Sequence, residues 1–365
     1  MYRVVARLIA LLMLLVGGGY TLSAQELKLG ADFTTLFDNK EYASMTFDKS
    51  GTLFSARLTP KVGIGWSERN ELMFAVDMVQ DFGHDAKFLS DANVQLYYAY
   101  RAPRVKLFAG VFPRSEMRGL RSSLFFDRSY RYYNNRIGGV LARYEDNRRG
   151  GGYVEFVMDY TGMRDFNTRE SFMIMSSGHK SFAWSYVGYD FLMGHYATDM
   201  NPATVDGVVD NLILTPYVGC DFAFSTPSRS VNLDVRLSYV QSMQRDRINE
   251  DVWMYPFGGE LFAEVEWWDV RLSSRTYLGR GSLFTYFNRY GADLYHGHPM
   301  YRTDKGIYET ITLSYARRFI SDTLAVEAGI TMEYDGTGWG TRQWLQLNVD
   351  LDYDVNLKRK QQYIE

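Results

Sequence analysis

The sequence predicts an all-β fold: a transmembrane, antiparallel, up-and-down β-barrel of about 16 strands, with 14 as the alternative count. Three observations predict it. Apolar and polar residues alternate from near Leu27 to Tyr353, the links between alternating segments are short and long in turn, and aromatic residues cluster at segment ends. Because a strand points successive side chains to opposite faces, each segment needs one apolar and one polar surrounding. A barrel with lipid outside and a polar lumen supplies both.

The chain begins with residues typical of an export signal. Arg3 and Arg7 form a basic start, Leu8–Val16 is an apolar run too short to span a membrane, and Ala24 precedes the expected cleavage site. We therefore predict three segments: a cleaved signal peptide, the barrel, and a short polar periplasmic tail, at residues 1–24, 25–357 and 358–365.

The last predicted strand shows the alternation most clearly. Leu345, Leu347 and Leu351 share one face, and Gln346 and Asn348 share the other. The same reading gives these strands: Leu27–Phe37, Leu53–Trp66, Glu71–Asp81, Ala92–Arg101, Val105–Phe112, Ile137–Tyr144, Tyr153–Tyr160, Ser171–Met175, Phe182–His195, Leu212–Phe224, Val231–Gln241, Leu261–Trp267, Val270–Leu278, Ile307–Phe319, Leu324–Tyr334 and Arg342–Tyr353.

The links between these strands test the prediction independently. Residues 67–70 and 102–104 are short, whereas 113–136 and 279–306 are long. Outer-membrane barrels alternate short periplasmic turns with long extracellular loops in this way. An even strand count then places both termini in the periplasm of a Gram-negative bacterium.

Composition excludes other classes. A net charge of -3 gives no general case for nucleic acid, and a single cysteine, Cys220, excludes an internal disulfide. Beyond the signal no long apolar stretch predicts a membrane helix. No cofactor or metal site is implied.

A barrel of sixteen strands is wide enough to leave an aqueous channel. At this point the chain resembles, in architecture, the porins of Gram-negative outer membranes. Three segments are similar to porin-like barrels of Bacteroides-type bacteria: Gly110–Ser115, Arg169–Ile174 and Gly188–Ala197. The resemblance implies passive diffusion of small hydrophilic solutes.

The resemblance also implies that the loop after the fifth strand folds into the lumen and narrows it. Here that loop is basic, which predicts a preference for anions. The alternative is an exposed loop that binds lipopolysaccharide phosphates. The candidate constriction residues are Arg114, Arg118, Arg121, Arg128, Arg131 and Arg136.

Lumen charges are unevenly distributed along the chain, which predicts a field across the channel. The alternative is local pairing between neighbouring strands, which contributes little where water screens the charges. The basic candidates come early and the acidic candidates late: Arg57, Lys61, Arg101 and Lys106, then Glu260, Glu264, Glu266, Asp350 and Asp352.

Two other functions stay open. The barrel could be a non-conducting receptor or scaffold for lipid, glycan or surface lipoprotein partners, or a hydrolase at the rim. A rim hydrolase needs a nucleophile, a base and an acid in reach, and Ser185 is too far from His195. We therefore expect no enzyme activity. The expected partners are outer-membrane lipids and lipopolysaccharide, small polar solutes, the barrel-assembly machinery, and either further copies in a homotrimer or a lipoprotein.

Overall fold

The computed structural model describes residues 26–356 apart from 47, 120–121, 147–150, 205, 227–228 and 321–322. Sixteen antiparallel strands form one closed barrel, in which every strand pairs with its neighbours in sequence and β1 pairs with β16. The predicted fold class is confirmed, with 16 strands rather than 14. The predicted signal peptide and tail lie outside the described residues.

The strands run as follows: β1 Glu26–Glu41, β2 Gly51–Trp66, β3 Asn70–Asp81, β4 Asp91–Arg101, β5 Val105–Pro113, β6 Arg136–Asp146, β7 Gly152–Gly162, β8 Ser171–Ser181, β9 Ser185–Tyr196, β10 Val209–Thr226, β11 Arg229–Asp246, β12 Phe257–Trp267, β13 Val270–Gly279, β14 Ile307–Phe319, β15 Leu324–Tyr334 and β16 Trp339–Asn356. Two short α-helices lie in the longest connections, α1 at Arg128–Tyr133 and α2 at Phe287–Tyr290. The same connections contain short 3₁₀ helices at Arg114–Glu116, Gly291–Leu294 and Pro299–Arg302.

Strand β8 is longer than the alternation predicts, continuing past Met175 to Ser181. Its second half is polar, but Ser177 pairs with Glu155 of β7 and Lys180 pairs with Val187 of β9. Strand pairing on both sides therefore extends β8 where its own side chains give no apolar face.

The outward face of the barrel is apolar. Phe54, Leu237, Leu261 and Leu345 are all exposed on it. Closure through β1 and β16 leaves no unpaired edge, which is the condition for a sheet to lie in hydrocarbon. A closed barrel with this surface belongs in a membrane. Among the described residues, no helix is long and apolar enough to cross one.

The two ends of the barrel differ. At one end, here named the short-turn end, the connections include residues 67–69, 102–104 and 268–269. At the other, the long-loop end, they include residues 114–135 and 280–306. These two long connections, named inward loop A and inward loop B, fold into the lumen.

The inward loops and the barrel wall share one apolar core inside the lumen. Phe125 and Phe126 of loop A and Leu283 and Phe284 of loop B are buried in it. Lumen-facing residues of β3 to β14 complete the core, among them Met73, Phe108, Ile137, Val157, Met175, Ile213, Val240 and Tyr308. The long-loop half of the lumen is therefore packed like a protein interior.

Candidate functional site

Inward loop A is fixed by a buried arginine. The Arg114 guanidinium donates to the backbone oxygens of Asn134 and Arg136 at 2.8 and 2.6 Å, and to the Asp159 carboxylate of β7 at 2.8 Å. It also lies over the Phe126 ring, 4.2 Å from its centroid. Both charged side chains of this ion pair are only 3% exposed. Arg114 therefore holds both ends of the loop against the wall.

A second carboxylate of β7 receives the middle of loop A. Glu155 accepts hydrogen bonds from the backbone N–H groups of Arg118 and Gly119, at 3.0 to 3.1 Å. It also pairs with Arg143 of β6 at 2.9 Å. The Arg118 side chain itself is about half exposed, 3.6 Å from Glu145. Arg121 lies outside the described residues.

Inward loop B is anchored on a different part of the wall. The Tyr301 hydroxyl donates to Glu260 of β12 at 2.5 Å, and the same carboxylate pairs with Arg275 at 3.1 Å and Arg236 at 3.3 Å. The Ser242 hydroxyl donates to the loop B backbone at 2.8 Å. Glu260, a lumen-charge candidate, is thus one of the loop's buried anchors.

The two inward loops hold each other. The N–H of Asp127 donates to the backbone oxygen of His296 at 2.8 Å, and the N–H of His298 donates to that of Ser123 at 2.9 Å. The rings of Tyr130 and His296 stack with centroids 4.1 Å apart. Burial, and then the Arg114 charge, lower the pKa of His296 to about 4. This imidazole is therefore neutral at pH 7.

Hydrogen bonds close the remaining part of the long-loop end, beside β15 and β16. The hydroxyls of Tyr42 and Tyr308 donate to the two oxygens of Glu333, at 2.6 and 2.5 Å. Arg342 forms a buried bidentate pair with Asp38 of β1. Inward loops A and B with this network are named the plug.

A cavity of roughly 1080 Å³ lies below the plug, that is, on its short-turn side, and reaches the short-turn end. Arg128 and Arg131 of α1 point into it from above. The Arg128 guanidinium lies 3.4 Å from the Trp344 ring centroid and 3.7 Å from the Glu327 carboxylate. Asp350 lines the same cavity, as does Arg57, which pairs with Asp77 at 3.0 Å.

The other predicted lumen charges, apart from Arg136, lie near the short-turn end. Lys61 bridges Asp32 and Asp352 at 2.8 Å each, so one early and one late candidate meet across the barrel closure. Arg101 pairs with Glu71 and Glu116, and Glu266 with Arg271. Lys106 lies on β5 and Glu264 on β12, whereas Arg136 is the first residue of β6 and lies at the long-loop end.

A different set of polar residues faces outward at the long-loop end. Strand register places Phe172 beside His195, His195 beside Asp210, and Asp210 beside Arg245. These residues form a row across β8 to β11, here named the rim row. Tyr160 of β7 continues it beyond Phe172.

The rim row has the geometry of an oriented histidine. His195 Nδ1 lies 3.9 Å from Asp210 Oδ1, and its ring stacks on Phe172 with centroids 4.9 Å apart. Asp210 is buried and accepts from Arg245 at 3.1 Å and from Nε and Nη2 of Arg247 at 2.7 Å each. The imidazole Nδ1 thus faces a carboxylate, which leaves Nε2 for a proton transfer. Arg247 is about half exposed.

Comparison with known proteins adds a family. A family model described as lipid A 3′-O-deacylase-type matches residues 20–360. That family is named for an enzyme, so the expectation that this barrel has no enzyme activity is wrong. No curated protein sequence matches the chain.

Solved structures support the fold. The chain is similar to OccAB4 of Acinetobacter baumannii, with a TM-score of 0.50 and 10% identity over 92% of this chain and 100% of that one. It is also similar to a loop L8 deletion mutant of OmpT from Vibrio cholerae, with a TM-score of 0.50 and 10% identity over 89% and 99%. These likenesses establish the porin-type barrel fold. The Bacteroides-type assignment stays a prediction.

Sequence reasoning considered His195 but missed its partners. Asp210 precedes the predicted start of its strand, and Arg245 and Arg247 follow the predicted end of theirs. Only the register between β9, β10 and β11 brings His195, Asp210 and Arg245 together, and Arg247 follows directly after β11. Had the strands been extended by a few residues, the alternation would have put His195, Asp210 and Arg245 on the outward face.

Proposed function

The chain belongs to the lipid A 3′-O-deacylase-type family, and we propose that it hydrolyses an ester bond of an acylated lipid in the outer leaflet of the outer membrane. The observation that supports this proposal most directly is the outward-facing pair of His195 and Asp210 in the rim row. In this proposal the short-turn end is periplasmic and the long-loop end extracellular, so the rim row faces the leaflet that contains lipopolysaccharide.

The pair suits general-base hydrolysis. His195 Nε2 takes a proton from a water molecule while the water oxygen attacks the ester carbonyl carbon. The resulting imidazolium then gives this proton to the leaving alkoxide. Asp210 holds the ring and stabilises its positive form. The 3.9 Å separation is longer than a hydrogen bond, and such contacts commonly tighten when substrate binds. Water is the proposed nucleophile because Ser171 belongs to the lumen-facing set of β8, on the other side of the sheet from His195.

The surroundings fit the substrate. Ester bonds of membrane lipids lie where headgroups meet hydrocarbon, and aromatic side chains mark that level on barrels. Tyr160 and Phe172 provide the apolar part of the rim row, and Met158 is exposed below them. Arg247 offers a guanidinium to a lipid phosphate.

The test measures acyl-chain release from lipopolysaccharide by the purified barrel in detergent, using mass spectrometry of lipid A. We expect His195→Gln and Asp210→Asn each to lower the rate by roughly 10²- to 10⁴-fold, the usual contribution of a positioned base. The matched control is His179→Gln, because His179 lies in β8 near the short-turn end, with Ser181 2.9 Å away. It should keep the full rate. Full activity of His195→Gln would reject the pair as the catalytic centre, and no release by the wild type would reject deacylation.

A second candidate function is passive diffusion of small hydrophilic solutes, with a preference for anions. The large cavity beneath α1 favours it, since Arg128 and Arg131 point into that cavity. Conduction requires the plug to move, because its side chains are packed and bonded.

Planar-bilayer recordings of the refolded barrel across a salt gradient test this function. Discrete steps with an anion-directed reversal potential support a channel, and Arg128→Gln with Arg131→Gln should then shift that potential toward cations. A folded barrel that gives no steps at any voltage would reject diffusion and favour a receptor for lipid, glycan or lipoprotein.

A further inference from the structure

The cavity below the plug has the size and the one-sided access of a ligand site. Its volume of roughly 1080 Å³ is at the upper end of the range for small-molecule pockets. Asp269 and Arg317, at or beside the short turns, line its open end. Its inner end is closed by α1 and by the buried Arg342–Asp38 pair. A solute can therefore enter from the short-turn end and stop.

Positive charge is concentrated at the closed end. Arg128 and Arg131 lie one turn apart on α1, and Arg342 faces them from β16. Arg342 is occupied by Asp38, whereas the nearest carboxylate to Arg128 is Glu327 at 3.7 Å. The face of Trp344 holds the Arg128 guanidinium in place, as expected for a cation over an indole ring.

Burial and neighbouring positive charge disfavour the charged forms of the arginines at this end. Burial, and then the Arg342 charge, lower the pKa of Arg128 to about 9. Burial also lowers the pKa of Arg131. An anion seated between these guanidinium groups would offset both effects, because an added negative charge favours the charged form of each arginine.

We propose that this cavity is a binding site for a phosphate-bearing small solute, with Arg128 and Arg131 as the residues that bind the phosphate. Guanidinium groups present paired N–H donors that match phosphate oxygens. The wider part of the cavity is mixed in charge, lined by Asp32 and Asp350 as well as by Arg317 and Arg318, and would take an uncharged polar body. This site is separate from the rim row and does not rest on the proposed hydrolysis.

Isothermal titration calorimetry on the full barrel in detergent tests the proposal, with inorganic phosphate and pyrophosphate as probes and benzoate as the carboxylate probe. We expect one saturable site per chain, with pyrophosphate tighter than phosphate and benzoate at least tenfold weaker. Quenching of Trp344 fluorescence, absent in Trp344→Phe, should follow the same curve.

The double variant Arg128→Gln, Arg131→Gln should weaken phosphate binding by at least tenfold. The control Arg164→Gln, Arg280→Gln removes two charges at the long-loop end, where Arg164 contacts Asp199 and Arg280 lies over Phe257; it should bind as the wild type does. If the Arg128→Gln, Arg131→Gln variant fails to fold, Arg128→Lys with Arg131→Lys replaces it. The lysine variant keeps both charges and should bind phosphate with an affinity between those of the wild type and of a chain without the two charges.

The proposal is overturned if no saturable phosphate binding is found, if benzoate binds as tightly, or if the folded double variant keeps wild-type affinity. His195→Gln should bind phosphate normally, so failure of the proposed hydrolysis and failure of this site are distinguishable.

Discussion

The two halves of the lumen are built from the same strands but differ in what fills them. Toward the long-loop end, Phe126, Leu283 and Phe284 are buried in an apolar core, and each inward loop is tied to the wall through a buried carboxylate. Toward the short-turn end, ion pairs such as Lys61 with Asp32 and Asp352 surround an open cavity. The first half resembles a domain interior and the second a binding cleft.

Strand number alone therefore does not decide what a barrel does. Sixteen strands create enough space for a channel, but here loops A and B occupy half of it. The carboxylates that would make a pore cation-selective, Glu155, Asp159 and Glu260, are used as anchors for the plug. What remains for chemistry is the outward rim row and the cavity below the plug.

Arg114→Gln should have the largest effect on the packed half of the lumen. Removing one partner of a buried ion pair costs roughly 3–5 kcal/mol, because the Asp159 carboxylate stays buried without its cation. We expect loop A to detach, so hydrogen exchange of residues 114–135 should rise and channel steps should appear in planar bilayers.

Two further variants test whether the effect comes from the buried charge of Arg114. Arg114→Gln combined with Asp159→Asn removes both charges and should lose less stability than the single change. Arg118→Gln removes a half-exposed side chain of the same loop, so its effect should stay below about 1 kcal/mol. If Arg118→Gln opens the plug as readily as Arg114→Gln, the anchor is misassigned.

Leu283→Ala tests the apolar core from loop B. Leu283 is fully buried, and such truncations cost roughly 2–5 kcal/mol through lost contacts and the cavity left behind. We expect faster hydrogen exchange in residues 280–306 with little change in loop A. Leu278→Ala removes the same side chain from the exposed outward face of β13 and serves as the control; equal effects would show that the plug has no specific core.

The sequence was sufficient for the barrel and insufficient for its plug. Alternation predicted all sixteen strands because lipid and water impose opposite requirements on the two faces of each strand. The resemblance to porins implied an inward loop after β5, and loop A does fold inward. Loop B was not foreseen, because Phe284, Tyr295 and Tyr301 read as exposed aromatic residues until Gln244 and Glu260 are seen to receive the loop. The rim row was not predicted for a similar reason. It depends on which residues of neighbouring strands lie side by side, and the alternation within one strand does not reveal this.

Acidification should loosen the plug. The pKa of His296 is lowered from 6.5 to about 4, so between these values the unfolded loop binds more protons than the packed one. Stability of the packed form therefore rises with pH across this window and is lost as pH falls from about 6.5 toward 4. The loss is on the order of 3 kcal/mol, since the pKa falls from 6.5 to about 4 and one pKa unit corresponds to about 1.4 kcal/mol.

Hydrogen exchange of residues 280–306, compared at pH 7.5 and pH 4.5 after correction for intrinsic rates, measures this loosening. His296→Phe keeps a ring against Tyr130 and removes the titrating nitrogen, so its loop B exchange should depend less on pH. An unchanged pH dependence in His296→Phe would move the effect to His298, whose pKa is lowered to about 3 by burial. In that case the response would centre on the Glu333 network, because His298 Nε2 lies 3.8 Å from Glu333. The acid-sensitive contact of the plug would then be the one between His298 and Glu333 of β15, and not the ring stack of Tyr130 and His296 between the two inward loops.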